Sequence, residues 1–236
     1  GESRLVLIKV SAVADTEQRL ESYVVILTYI NAQKLAENEL FLLANYDSLT
    51  GLPNRTLFND RVEHALEQAK GQNSKVALLN INIKRFKYFN DSLGHEAADE
   101  IIKAVALRIK SRVQAKDSVA RFSGDEFMLL VEGIQQIEEV VLLCVKLMAS
   151  LNDNIIINNQ AISVSLSIGV AISPDDALSA KSLIKAADIA LYHSKKSLEG
   201  CYQFYKQEMN QHVQRSLHLE SQLTQAYQNH AFCNHY

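Results

Sequence analysis

The sequence predicts an α+β fold, and three observations carry that prediction. From Asn54 onward the periodicities run helix, strand, helix, hairpin, helix, strand, helix, strand. Helices interleaved with an antiparallel hairpin argue against a doubly wound parallel sheet. The core order strand–helix–hairpin–helix–strand is that of a ferredoxin-like sheet flanked by helices.

Each element follows from its own pattern. Arg4–Val13 (RLVLIKVSAV) alternates like a strand, and Tyr23–Thr28 (YVVILT) is a second β-rich run. Two strands alone are marginal in water, so they read as part of a larger domain. Ile30–Tyr46 reads as a helix with a loose apolar stripe of Ile30, Leu35, Ala36, Leu40, Leu42 and Leu43. A turn at Thr50–Pro53 leads to Asn54, which suits the cap of a helix burying Phe58, Val62, Ala65, Leu66 and Ala69, with Gly71 at its C-terminal end. Val76–Ile83 (VALLNINI) is a buried strand, and Ala97–Val113 is a helix with Ile101, Ile102, Val105, Ile109 and Val113 as its stripe. Val119–Arg121 and Phe127–Glu132 form two strands around the turn Ser123–Glu126. Ile137–Leu151 is helical. Ser163–Ile172 alternates, with Val164, Leu166, Ile168, Val170 and Ile172 on one face. Leu178–Ser197 is a helix, Cys201–Tyr205 a last strand and Glu208–Gln228 a last amphipathic helix.

Composition narrows the function. The 236 residues are 47% hydrophobic and 22% charged, as in an ordinary soluble globular protein. A net charge of −3 gives no global attraction to nucleic acid or to a membrane surface. No apolar run reaches the roughly 18 residues of a membrane helix. A chain starting at Gly1 reads as an excised fragment or a tag remnant. Cys144, Cys201 and Cys233 are odd in number, widely spaced and free of CxxC or zinc patterns, which fits a reduced, cytoplasmic compartment.

The segment with the most chemistry is Arg121–Phe127 (RFSGDEF). Alone it reads as a hairpin with a solvated acidic tip. Its functional reading is a metal and nucleotide site: Gly124 lets backbone approach a phosphate, and adjacent carboxylates can hold Mg²⁺ against phosphate oxygens. Four further segments weigh against the plain hairpin: Asp47–Arg55 (DSLTGLPNR), Asn90–Asp99 (NDSLGHEAAD), Ser167–Val170 (SIGV) and Ala187–Tyr192 (ADIALY), with Lys195 close behind.

In this order the segments closely resemble the GGDEF family of diguanylate cyclases, over residues 47–205. The resemblance implies an adenylyl-cyclase-like sheet, GTP as substrate, cyclic-di-GMP as product, and a homodimer in which a 3′-hydroxyl attacks the partner's α-phosphate. It implies that Asn90 and Asp99 read guanine, whose edge offers donors and an acceptor. Lys87 and Lys195 match phosphate contacts. Ser123 and Gly124 line the nucleotide approach. Asp125 matches a metal ligand that is also the base for the attacking hydroxyl, and Glu126 the acid beside it. The position of Asn82 and the backbone of Ile83 complete the implied metal set. Asp47 and Arg55 match a loop whose Gly51 and Pro53 point to a structural role.

Departures from the family pattern bear on activity. Ser123 replaces the first glycine of the signature, where a side chain crowds the nucleotide and resists a positive φ. Asn82 replaces a metal-binding aspartate. At about 4 Å and an effective dielectric near 20, one lost unit charge is worth roughly 4 kcal/mol before desolvation offsets it. Lys84 stands where a second acid is usual. Glu199, within Leu198–Gly200 (LEG), stands where an arginine is usual. The product-inhibition motif would begin with arginine at Gln114, and only its Asp117 is present. These changes predict weak or absent Mg²⁺ binding and little catalysis.

The flanks carry looser likenesses. Val10–Lys34 resembles the tail of a PAS sensor domain with its exit helix, and Leu217–Tyr236 the link into an EAL phosphodiesterase domain. The implied layout is a sensor tail at 1–29, a signalling helix at 30–46, the GGDEF domain at 47–205 and a linker helix at 206–236. Three readings stay open: a regulatory module for an attached phosphodiesterase, with GTP as effector; a working cyclase that tolerates Asn82 and Ser123; and a dimerisation element without nucleotide. The implied small-molecule partner is GTP or cyclic-di-GMP.

Overall fold

The computed structural model describes residues 6–14, 20–29, 31–151, 153–196 and 201–209. The chain divides into two compact units, Gly1–Asn45 and Tyr46–Tyr236.

In the first unit, β1 (Val6–Ala14) and β2 (Leu20–Tyr29) form an antiparallel pair, from Val6 opposite Tyr29 to Ala14 opposite Leu20. Helix α1 (Asn31–Asn45) follows. Leu40, Phe41, Leu42 and Leu43 near its end are all exposed.

The second unit runs α2 (Arg55–Gln72), β3 (Lys75–Ile83), α3 (Phe86–Leu93), α4 (His95–Lys110), β4 (Ser118–Ser123), β5 (Glu126–Ile134) and α5 (Ile137–Ala149). Then come β6 (Ile155–Ile157), β7 (Gln160–Ile162), β8 (Leu166–Ser173), α6 (Ala180–Lys195) and β9 (Tyr202–Phe204). Five strands form one sheet in the order β4-β5-β3-β8-β9. Strand β3 is central and antiparallel to both neighbours, and β9 lies parallel at the edge beside β8. This is the expected α+β arrangement, with its strands interleaved as in a ferredoxin-like sheet.

The sheet is buried on both faces. Ala77, Leu79, Ile81 and Ile83 of β3 join a core with Ile101, Val105 and Ile109 of α4 and Val140 and Leu147 of α5. Val76 and Leu78 point to the other core, with Phe58 and Val62 of α2 and Leu183 and Ala187 of α6. Helix α2 starts as expected: the Asn54 side chain accepts from Leu57 N at 3.2 Å.

Three expectations need correction, and one hairpin was not expected. The left-handed cap of α2 is Asn73 (φ 51°), not Gly71, because the helix runs on to Gln72. The segment after β3 is a separate helix, α3, split from α4 by Gly94 at φ +83°. Its apolar positions Phe86, Phe89 and Leu93 are spaced i, i+3, i+7, but at eight residues the helix is shorter than the window in which that period is read. Strand β8 is buried along its whole length, not on one face, since α6 covers the side opposite Ile168 and Val170. The hairpin β6–β7 turns on Asn158 and Asn159 at φ +49° and +62°. Asparagine tolerates that left-handed geometry in tight hairpins. The expected helix Glu208–Gln228 lies outside the described residues from 210 onward, as does Leu198–Gly200.

Candidate functional site at the signature turn

The signature turn is built by the β4–β5 hairpin. Its left-handed residue is Gly124 (φ +45°), while Ser123 stays in β4 as its last, exposed residue. The expected backbone conflict at Ser123 is therefore absent, since the positive φ falls one residue later. Asp125 is half-buried, and its carbonyl accepts from Ile83 N at 3.3 Å. That bond joins the turn to the end of β3. Beside it, Asn82 lies directly across from Glu126 on β5 and from Ser167 on β8.

A second set of contacts fixes the turn from the other side. Arg121 Nη1 donates to both carboxylate oxygens of Asp47 at 3.0 Å each. Arg121 Nε donates to Gly124 O at 3.0 Å, and Arg121 N to Pro53 O at 3.0 Å. Asp47 also accepts from Thr50 N at 2.9 Å and Thr50 Oγ1 at 2.6 Å. Asp47 is thus the keystone of loop 47–55, as its turn chemistry implied. Arg55 stacks over the Phe122 ring at 4.7 Å, and Phe122 meets Phe58 edge-on at 5.5 Å.

Burial opposes the charge on Asp47, but the hydrogen bonds from Thr50 and Arg121 outweigh it and hold the carboxyl below the usual range. A depressed folded value stabilises above the ordinary carboxylate range, and this is lost as pH falls through the depressed value. Asp47→Asn is expected to cost about 1–2 kcal/mol near neutral pH. The difference in melting temperature from the native chain should shrink on acidification; a gap constant from neutral to acidic pH would contradict this.

The third feature lies inside the sheet. Asn80, two residues before Asn82, is 1% exposed. Its Nδ2 donates to Glu126 Oε1 at 2.9 Å and to Asp188 Oδ1 on α6 at 2.7 Å. Asn80 Oδ1 and Ser167 Oγ are buried and find no hydrogen-bond partner among the described residues. Such an acceptor costs about 1–3 kcal/mol. The packing around Asp188 raises its carboxyl above the ordinary range, although it keeps an exposed edge. The Asn80 donor and Arg55 oppose that rise, and Glu126 adds to it. Neither Asn80 nor Asp188 stands out as a site residue in the sequence. The available signal was a polar residue at an inward position of VALLNINI.

The remaining candidates lie on other elements. Lys87 is exposed and Asn90 half-buried on α3. Asp99 is half-buried near the start of α4, which packs against α3. Lys195, exposed, ends α6. Among the described residues no hydrogen bond ties these four to the signature turn. Glu199 lies outside the described residues. The segment that would carry the product-inhibition motif lines an open cleft of about 490 Å³ with Arg61, Lys110, Gln114 and Asp117.

Toward a divalent cation, the end of β3 and the turn offer hard oxygens: the Asp125 carboxylate, the Asn82 amide and the Ile83 carbonyl. Mg²⁺ usually takes one or two carboxylates together with substrate phosphates. Here Glu126, the second acid of the turn, is engaged inward by Asn80. Among the described residues no group of three His, Cys, Asp or Glu is placed to hold a metal ion. None of the described helices is long and apolar enough to cross a membrane.

Comparison with known proteins places this architecture. Residues 44–200 match the family described as "Diguanylate cyclase, GGDEF domain". The chain is 36% identical over 220 residues to the bifunctional diguanylate cyclase/cyclic di-GMP phosphodiesterase MucR of Pseudomonas aeruginosa, covering 93% of this chain and 32% of that protein. It is 34% identical to the cyclic di-GMP phosphodiesterase NbdA of the same species, over 89% of this chain and 27% of that one. The chain thus spans about a third or less of these curated relatives. Among solved structures, the isolated GGDEF domain of TpbB from Pseudomonas aeruginosa superposes with a TM-score of 0.70 at 34% identity, covering 72% of this chain and 99% of that one.

Proposed function

Because this chain belongs to the GGDEF family of diguanylate cyclase domains, we propose that it serves cyclic-di-GMP signalling as a regulatory module, one that binds GTP and converts it poorly. The observation that carries this reading is the end of β3. Asn82 stands beside the signature in place of an acid, and Glu126 is turned inward to Asn80. The turn then offers a cation the Asp125 carboxylate, a Glu126 carboxylate that already shares Oε1 with Asn80, and neutral oxygens. Mg²⁺ supplies charge stabilisation to phosphoryl chemistry when bound, and this donor set is a weak match for it.

The chain's own residues keep the means to bind nucleotide. Asn90 and Asp99 supply the amide and carboxylate that suit guanine. Lys87 and Lys195 supply point charges for phosphates. Gly124 keeps the turn open to close approach. That intact turn, with Asp125, is what favours the second reading, a working cyclase.

For the parent protein the proposed layout is a sensor tail at 1–29, a signalling helix at 30–46, the GGDEF domain at 47–205 and a linker at 206–236 toward a phosphodiesterase domain. The relatives' bifunctional and phosphodiesterase names support it. Titration calorimetry with GTP tests the binding role. Heat that saturates below millimolar GTP is expected; no heat from folded protein would remove the effector role.

A further inference from the structure

We propose that the side-chain amide of Asn80 acts as a built-in substitute for a divalent cation, tying two carboxylates together so that the signature hairpin is held without metal. Asn80 is a positioning residue in this role. The inference rests on the reading that the turn is poor in cation ligands, but not on whether GTP binds.

The argument starts from donor chemistry. A side-chain amide has two N–H donors on one nitrogen. Asn80 Nδ2 gives hydrogen bonds to Glu126 Oε1 at 2.9 Å and Asp188 Oδ1 at 2.7 Å. These acceptors come from different elements: Glu126 opens β5 at the signature, and Asp188 lies on α6, the helix that ends at Lys195. Two carboxylates brought to one point repel unless something positive lies between them. A metal-dependent site would place a cation there. This chain places the positive end of a buried amide dipole.

The placement is specific. Asn80 is 1% exposed, on a strand whose preceding same-face residues Val76 and Leu78 are buried and apolar. Its Oδ1 finds no partner among the described residues. A polar side chain kept there, with one end unsatisfied, is accounted for by what the other end holds. Three elements meet on it: β3 two residues before Asn82, β5 at the signature, and α6.

Measurements on the native chain and on two variants, all at full length and without nucleotide, test this. In the native protein the Asn80 side-chain amide hydrogens should exchange slowly by NMR. They should survive millimolar Mn²⁺ unbroadened, and millimolar Mg²⁺ should leave the melting temperature unchanged. Asn80→Asp removes the donor and sets a third carboxylate against the other two. That variant should melt lower in chelator and recover on adding Mg²⁺ or Ca²⁺, by roughly 5–10 °C if the cation reaches a hundredfold excess over its Kd. Asn80→Leu fills the position without donor or acid, and should recover much less. A native melting temperature that rises with Mg²⁺, amide resonances bleached by Mn²⁺, or a folded Asn80→Asp variant indifferent to cations would each overturn the proposal. If Asn80→Asp fails to fold, the two native measurements decide. Because GTP is absent throughout, failure here is separate from failure to bind nucleotide.

Discussion

Alanine at position 169 is expected to destabilise the protein by at least about 3 kcal/mol, a drop in melting temperature of roughly 6–12 °C. Gly169 sits in β8 opposite Asn80, under α6. A Cβ there would collide with the backbone N of Leu191 and the backbone O of Ala187, and would lie 2.7 Å from Leu191 Cα. All three atoms belong to helix backbone, so no side chain can swing aside. The helix would have to lift off the sheet and open the apolar packing of Leu183 and Ala187. Overpacking usually costs about 1–3 kcal/mol, and a backbone collision belongs at or above the top of that range. Thermal unfolding followed by circular dichroism checks it, and a drop of only a degree or two would contradict the close helix–sheet contact. The same lift would move Asp188 away from Asn80, so the variant should also loosen the signature hairpin.

The glycine illustrates what could be read in advance and what could not. The SIGV segment was legible as part of a family pattern, and the strand around it as an alternating one with its apolar residues on one face. The reason for its glycine was not, because that reason lies on α6, about twenty residues later in the chain. Asn80 repeats the lesson. In sequence it is one polar letter in an apolar strand, and its partners lie far along the chain at Glu126 and Asp188. Short-range chemistry fared better. The Asn54 cap, the loop at Gly51 and Pro53, and the signature turn at Gly124 all follow from local residue types. Helix α3 was missed for a local reason as well: its apolar stripe of Phe86, Phe89 and Leu93 spans only eight residues, too short a window for the helical period to declare itself. The spatial relation of Asn82 to Glu126 and Ser167 needed the sheet register, which places them side by side.

The second large effect is expected from Asn82→Asp. A carboxylate at the end of β3 would face the position beside Asp125 and the Ile83 backbone. One added unit charge at about 4 Å is worth roughly 4 kcal/mol at an effective dielectric near 20, before desolvation reduces it. Retaining even a third of that amounts to about tenfold in affinity. The variant should therefore bind Mn²⁺ at least about tenfold more tightly than the native chain, read by the paramagnetic resonance of free Mn²⁺. Its production of cyclic-di-GMP should rise in parallel. Lys84 keeps a positive charge near the same strand end, so Asn82→Asp with Lys84→Asp should bind more tightly still. Unchanged Mn²⁺ affinity in a folded Asn82→Asp variant would show that position 82 does not face a cation.

The Asn82→Asp effect bears on the chemistry of one strand end. A domain with the family's sheet and turn, but with an amide where the family has an acid, should hold nucleotide better than it transforms it. The most direct test is to incubate the purified native chain with GTP and Mg²⁺ or Mn²⁺ and follow product by chromatography. Little or no cyclic-di-GMP is expected, under conditions where GTP binding is seen by calorimetry. Brisk conversion of GTP to cyclic-di-GMP by the unmodified chain would contradict the account.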